Sequence, residues 1–249
     1  DVIRRQRQMC IRDRLYITLE MAEERIAERI DANLLDVTME DLHDMPQQLY
    51  DGKIKKLREK TQGQLIIKEY PTASAHSGHF KSLMNELALK KSFRPDVIFI
   101  DYLNICASSR FKGGNISSYF YVKAIAEELR GLAVEFNVPI FSATQTTRTG
   151  YVSSDIGLED TSESFGLPAT ADFMFALISN EELEALGQMK VKQLKNRYND
   201  PSINRAFIIG VDRSKMRLYD VQQKAQEIVD ANQVDEKEDA YNKFSDFKL

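Results

Sequence analysis

Cysteine, long apolar runs and an excess of charge of one sign are all scarce in this sequence of 249 residues. Only Cys10 and Cys106 occur, far apart and with no CxxC or Cys/His ladder nearby. That spacing argues against a disulfide framework and a zinc site, and it fits a reducing cytoplasm. No stretch approaches the roughly eighteen uninterrupted apolar residues that a membrane helix needs, and no apolar stretch of signal-peptide type opens the chain. The expectation is a soluble protein with no membrane attachment. The formal net charge of -4 provides no global attraction for nucleic acid. Any contact with DNA must therefore come from local basic loops or from a ring lined by repeated subunits.

What is present suits one sizeable core, with 43% hydrophobic and 29% charged residues. Residues 1–14 carry five arginines against Asp1 and Asp13 with no clear amphipathic period. A basic arm is one reading of this string. It also resembles translated adapter read-through of the kind found in assembled environmental sequences, and it is set apart here as a non-native segment. From residue 15 onward, apolar runs alternate with amphipathic segments: LYITL (15–19) with a helical pattern over 21–34, QLIIKEY (64–70) with one over 79–92, and DVIFIDYL (96–103) with one over 118–136. VPIFSATQ (138–145) supplies a further strand. This alternation predicts an α/β fold with a mainly parallel sheet, buried on both faces by its crossover helices. The segments 171–179, 188–198, 205–212 and 216–221 then follow one another with short turns, which suits antiparallel strands added on the C-terminal side. Residues 222–249 hold four lysines against seven acids and read as an acidic tail, partly helical or disordered.

Three polar residues close three of the apolar strands. Asp101 ends DVIFID, where a carboxylate beyond the carboxyl end of a parallel strand can hold a Mg²⁺-bound water opposite nucleotide phosphates, the Walker B arrangement. Glu20 ends LYITLE and could orient and deprotonate the water that attacks a terminal phosphate, or could simply be a first-turn glutamate favoured by the dipole of the next helix. Gln145 ends PIFSATQ, where its amide could contact the terminal phosphate. Three such groups at three strand ends are better explained by one site than by three accidents.

The segments YITLEM, DVIFIDYLNICASSR, SSYFYVKAIAEELRGLAVE, SATQ, ESFGLPATADFMFALI and KQLKNRYND, in this order, resemble the motor domain of replicative helicases of the phage T4 type, within the DnaB and RecA-like group. The likeness extends over roughly residues 15–221. It implies a RecA-like domain that couples hydrolysis of ATP or another NTP, with Mg²⁺, to travel along single-stranded DNA and to duplex unwinding, in the 5′-to-3′ direction. It implies Glu20 as the catalytic carboxylate, Asp101 as the Mg²⁺-associated aspartate and Gln145 as the phosphate sensor. Lys195 and Arg197 match a Lys-x-Arg pair that serves the neighbouring subunit's nucleotide. Positions i and i+2 of a strand share a face, and an arginine supplied in trans can neutralise charge developing on a phosphoryl group. A homo-hexamer, with primase and helicase loader as partners, is implied with it.

Two segments have loop composition. Residues 108–118 contain Arg110, Lys112, Gly113 and Gly114, and residues 146–166 contain Arg148. By resemblance both touch single-stranded DNA, where arginine, lysine and backbone amides grip phosphate without reading bases. His76 and His79 lack a third ligand at suitable spacing and read as a helix start, as does TMEDLHDM (38–45), with Thr38 as cap. Met21, Met39, Met45 and Met84 read as packing residues. No GxxxxGK[ST] phosphate loop occurs. The expectation is a motor domain truncated before its Walker A region and inactive as it stands. A RecA-like recombinase-type ATPase and a non-catalytic ring or loader component are the alternatives.

Overall fold

The computed structural model describes residues 13–61, 63–111, 116–146, 157–158, 166–200, 203 and 205–221. Four strands, β1 (Arg14–Thr18), β2 (Leu65–Glu69), β3 (Val97–Asp101) and β4 (Ile140–Ser142), form one sheet in the order β2-β1-β3-β4, with every pairing parallel. Between β1 and β2 run α1 (Glu23–Leu35), α2 (Met39–His43) and α3 (Gln47–Lys60). The helix α4 (Ser77–Lys91) joins β2 to β3, and α5 (Ser118–Phe136) lies between β3 and β4. Each apolar run of the first half thus becomes a strand and each long amphipathic segment a helix, as the alternation requires.

The core sits on one face of this sheet. Leu15 and Ile17 of β1, with Ile98 and Ile100 of β3, meet Phe80, Met84 and Leu87 of α4 and Ile125, Leu129 and Leu132 of α5. The opposite face is an aromatic row in which the rings of Tyr16 and Phe99 lie 6.2 Å apart and those of Phe99 and Phe141 lie 5.6 Å apart. Phe141 is 49% exposed. Successive side chains of a strand alternate sides, and α4 and α5 pack onto the same one; on the other side Thr18 and Val97 are buried as well.

The second half is a separate antiparallel sheet, in the order β5-β6-β7-β8. Its strands are β5 (Phe173–Ile178), β6 (Gln188–Asn196), β7 (Ala206–Asp212) and β8 (Arg217–Asp220), with the short helices α6 (Gly166–Thr170) before β5 and α7 (Glu181–Ala185) after it. Two seams hold the sheets together. Leu167 of α6 joins the main core, while the β7–β8 turn is bonded to the end of α1, where Asp36 pairs with Lys215 (3.2 Å) and Arg217 (2.9 Å). Among the described residues no helix is long and apolar enough to cross a membrane.

Local signals behave as read. Thr38 caps α2, its hydroxyl oxygen accepting from the Asp41 N–H at 3.0 Å. His76 Nδ1 accepts from the Gly78 N–H (3.0 Å), while the His76 N–H donates to His79 Nδ1 (3.2 Å), so the histidine pair opens α4. Among the described residues, no three His, Cys, Asp or Glu side chains gather as a metal site. Met84 is a core residue, whereas Met21, Met39 and Met45 are only partly buried. The strand expected from residue 15 begins one residue earlier, because Arg14 is in register with Leu65 and Val97. Asp13 is fixed beside it, its N–H donating to the Asp96 carboxylate at 2.9 Å.

Candidate nucleotide site and its partners

Strand order brings the three predicted strand-end groups to one edge. The strands β1, β3 and β4 are consecutive in the sheet, and their registers place Thr18 beside Asp101 and Ile100 beside Ser142. Glu20 lies two residues past Thr18 and Gln145 three past Ser142, so both leave the sheet at its carboxyl edge with Asp101, where α/β folds collect ligands. The edge is stitched across by the Leu19 N–H donating to the Asp101 carbonyl (2.8 Å) and the Leu103 N–H donating to the Ala143 carbonyl (3.2 Å). Past β1, the buried Thr18 hydroxyl donates to the Met21 carbonyl at 2.8 Å and accepts from the Met21 N–H at 3.1 Å. That tight turn leaves Glu20 at its apex, exposed, while Asp101 is half-buried.

Two tyrosines not singled out in the sequence support these groups. The Tyr16 hydroxyl donates to Asp101 Oδ2 at 2.9 Å, and Gln145 Nε2 donates to the Tyr102 hydroxyl at 3.1 Å. Burial pushes the Tyr16 phenol well above its ordinary range, and the hydrogen bond to Asp101 adds to the shift. Two more polar atoms follow in the chain, three residues past Asp101 and one before Gln145: Asn104 Oδ1 and Thr144 Oγ1 are buried with no hydrogen-bond partner among the described residues. Buried polar atoms ordinarily find partners, so this edge has capacity for a polar group.

Lys195 and Arg197 meet at a second place. The Lys195 ammonium donates to the Pro168 carbonyl. Arg197 donates to the Ala169 carbonyl (2.6 Å) and to Asp172 Oδ1 (3.0 Å). Arg130 of α5 reaches the same Asp172 oxygen (2.7 Å) and the Thr170 carbonyl (2.8 Å). Three cations therefore gather on the carboxyl end of α6, whose last carbonyls lack helical partners. Burial raises the Asp172 carboxyl, but Arg130 and Arg197 outweigh it and hold the group below its ordinary range. The Lys195 ammonium is lowered, first by burial and then by the two neighbouring arginines. A bulge between Met174 and Phe175 shifts the register of β5 against β6, which carries Lys195 and ends one residue before Arg197.

The segment past β3 is held by one carboxylate on α5. Glu128 accepts from the hydroxyls of Ser77 (2.8 Å), Ser108 (2.6 Å) and Ser109 (2.7 Å), from the Ser109 N–H (3.0 and 3.1 Å to its two oxygens) and from the Arg110 N–H (3.4 Å). Burial pushes this carboxyl up, yet the hydrogen bonds from Ser108, Ser109 and Ser77 prevail and bring it to about 2. The Arg110 guanidinium is paired with Glu127 at 2.5 Å. Of the predicted DNA-contacting residues, Arg110 is the one placed; Lys112, Gly113, Gly114 and Arg148 lie outside the described residues.

The family model described as DnaB-like helicase C terminal domain matches residues 3–214. A DnaB-like replicative helicase of Enterobacteria phage T4 is 45% identical over 237 residues, which is 92% of this chain and 50% of that protein. A probable plasmid replicative DNA helicase of Chlamydia trachomatis is 34% identical over 138 residues, 53% of this chain and 28% of that protein. Among solved structures, a DnaB-like replicative helicase described with its interactions with primase superposes with a TM-score of 0.68 at 16% identity, covering 85% of this chain and 51% of that one. A second solved structure, described as an ATPase domain, also gives 0.68 at 16%, covering 85% of this chain and 75% of that one. At such identity these two likenesses establish the fold, which is RecA-like. The chain spans about half the length of the T4 relative. The match across residues 3–214 and the close T4 relative place the chain in the family of DnaB-like helicase C-terminal domains.

Proposed function

We propose that this chain is the motor domain of a replicative DNA helicase that couples hydrolysis of ATP or another NTP to movement along single-stranded DNA and to strand separation. The observation that carries the reading is the convergence of Glu20, Asp101 and Gln145 at the carboxyl ends of three adjacent parallel strands. In this reading Glu20 activates the attacking water, Asp101 holds Mg²⁺ through its water shell, and Gln145 senses the terminal phosphate. Mg²⁺ is commonly held by one or two carboxylates together with substrate phosphates. A single aspartate beside orphaned polar atoms fits that habit. Mg²⁺ would supply charge neutralisation on the phosphates, while Tyr16 and Tyr102 would keep Asp101 and Gln145 in place.

Lys195 and Arg197 act in trans on a neighbour's nucleotide in a homo-hexamer, and the segments carrying Arg110, Lys112, Gly113, Gly114 and Arg148 contact single-stranded DNA. Travel is 5′ to 3′, primase and a loader are partners, and the host cytoplasm is the site of action. The primase expectation draws support from the solved DnaB-like helicase described with primase interactions. Residues 15–221 form the motor and 222–249 an acidic tail, while the places of Asp13 and Arg14 in the fold and the family match from residue 3 count against a non-native segment running to residue 14. Because the phosphate loop is missing from the sequence, the 249-residue chain alone turns over nucleotide poorly.

A full-length protein carrying this domain together with a phosphate loop should unwind a forked duplex in the presence of NTP and Mg²⁺. DNA-stimulated hydrolysis without strand displacement would point to a recombinase-type ATPase. DNA binding without hydrolysis would point to a non-catalytic ring or loader component.

A further inference from the structure

Adjacent glutamates of α5 engage the segment after β3 in opposite ways. Glu128 takes bonds from three hydroxyls and two backbone N–H groups, with donors from Ser77 at the start of α4 and from Ser108, Ser109 and Arg110. A carboxylate offers about four lone-pair sites, so Glu128 is saturated and has no capacity left for a cation or substrate. The bonded segment is also braced elsewhere: the Ser108 N–H donates to the Tyr121 hydroxyl at 3.1 Å, and the Ser108 hydroxyl accepts from the Arg110 N–H at 3.2 Å. Among the described residues Glu127 touches the same segment only through the Arg110 guanidinium, in a pair whose side chains are 51% and 38% exposed, with Lys123 4.0 Å away. An exposed pair of this kind is weak and screened, so a phosphate can replace Glu127 where nothing readily replaces Glu128.

We propose that Glu128 is a positioning residue that fixes Ser108–Arg110 for single-stranded DNA, while Glu127 is a displaceable counter-ion that holds the Arg110 guanidinium until a phosphate takes its place. The inference rests on the proposed contact between this segment and DNA. It also gives that contact a mechanical link to the nucleotide edge, because the anchored stem begins seven residues past Asp101 on the same continuous chain.

Simple electrostatics and positioning predict different signs. If the two carboxylates merely repel DNA, neutralising either should tighten binding. Under the proposal, Glu127→Gln should bind labelled oligo-dT about threefold more tightly by fluorescence anisotropy, on the scale of an exposed ion pair. Glu128→Gln should bind about fivefold more weakly in spite of losing a negative charge, with the salt dependence reduced by about 0.7, the value of one single-strand phosphate contact. The milder Ser109→Ala should weaken binding about twofold, on the scale of one hydrogen bond. Hydrogen exchange supplies a readout independent of DNA: the Ser109 and Arg110 amides should exchange faster in Glu128→Gln, while those of β1 and β3 keep their protection. Tightening in both glutamine variants, or unchanged exchange at Ser109 and Arg110, overturns the inference alone. Absence of salt-dependent binding by the unsubstituted chain overturns the DNA contact itself, and the inference with it.

Discussion

Glu128 illustrates how a single side chain can be tuned by its neighbours. Its carboxyl titrates at about 2 in the folded chain, below the ordinary value of 4.5, because hydrogen bonds to the ionised form outweigh burial. A depressed folded-state value means that the unfolded chain takes up the proton first as pH falls. The stabilisation from Glu128 is therefore complete above about pH 4.5 and disappears as pH drops towards 2. Thermal unfolding across pH 2–7 should show a constant difference between the unsubstituted chain and Glu128→Gln at neutral pH, shrinking to nothing at the acid end; a difference that grows on acidification contradicts the assignment. None of this was legible in the sequence, since Ser77 and Ser108 lie 51 and 20 residues from Glu128. Tyr16 escaped notice for the same reason, with its partner Asp101 85 residues away. Glu20, Asp101 and Gln145 could be picked out because each ends an apolar run, which is a local signal.

Among the secondary-structure elements, those with a strong apolar period were read nearly to their boundaries: α5 spans 118–136 as expected. The helix α3 was missed although Tyr50, Ile54 and Leu57 recur at helical spacing, because that short stripe lies among charged and polar residues and is only partly buried. The short helix α6 was also missed, yet it organises the second site by offering its terminal carbonyls to Lys195, Arg197 and Arg130. The spacing of Lys195 and Arg197 suggested one face of a strand, whereas β6 ends at Asn196 and Arg197 lies just past it; nor could the spacing say that their own chain would hold them. Asp172→Asn removes the charge that Arg130 and Arg197 share at side-chain exposures of 34–41%. After allowance for solvent screening, the expected loss is about 1 kcal/mol. It should be visible as a lower urea midpoint with an unchanged slope. An unaltered midpoint would mean that the carbonyls of α6 alone suffice to hold the two arginines.

For the whole molecule, the parallel sheet with its helices was predictable from alternation, whereas the docking of α4 and α5 on the same face was not, because a sequence does not reveal on which face two helices dock. The proposed mechanism requires that chemistry at one protomer's sheet edge depend on another protomer's α6–β6 corner. Arg197→Ala in a full-length protein should accordingly abolish hydrolysis while leaving nucleotide binding largely intact, as measured by steady-state turnover against equilibrium titration. Turnover equal to the unsubstituted protein would remove the arginine from the mechanism.

Docking of Lys195 and Arg197 on their own α6 bears on how such an assembly comes apart. A basic side chain withdrawn from a partner's anion is ordinarily stranded until water resolvates it, and that raises the barrier to separation. In the proposed arrangement each departing cation would find carbonyls within its own protomer, which offset part of what the stronger, charge-assisted phosphate contact supplied and so lower the barrier to separation.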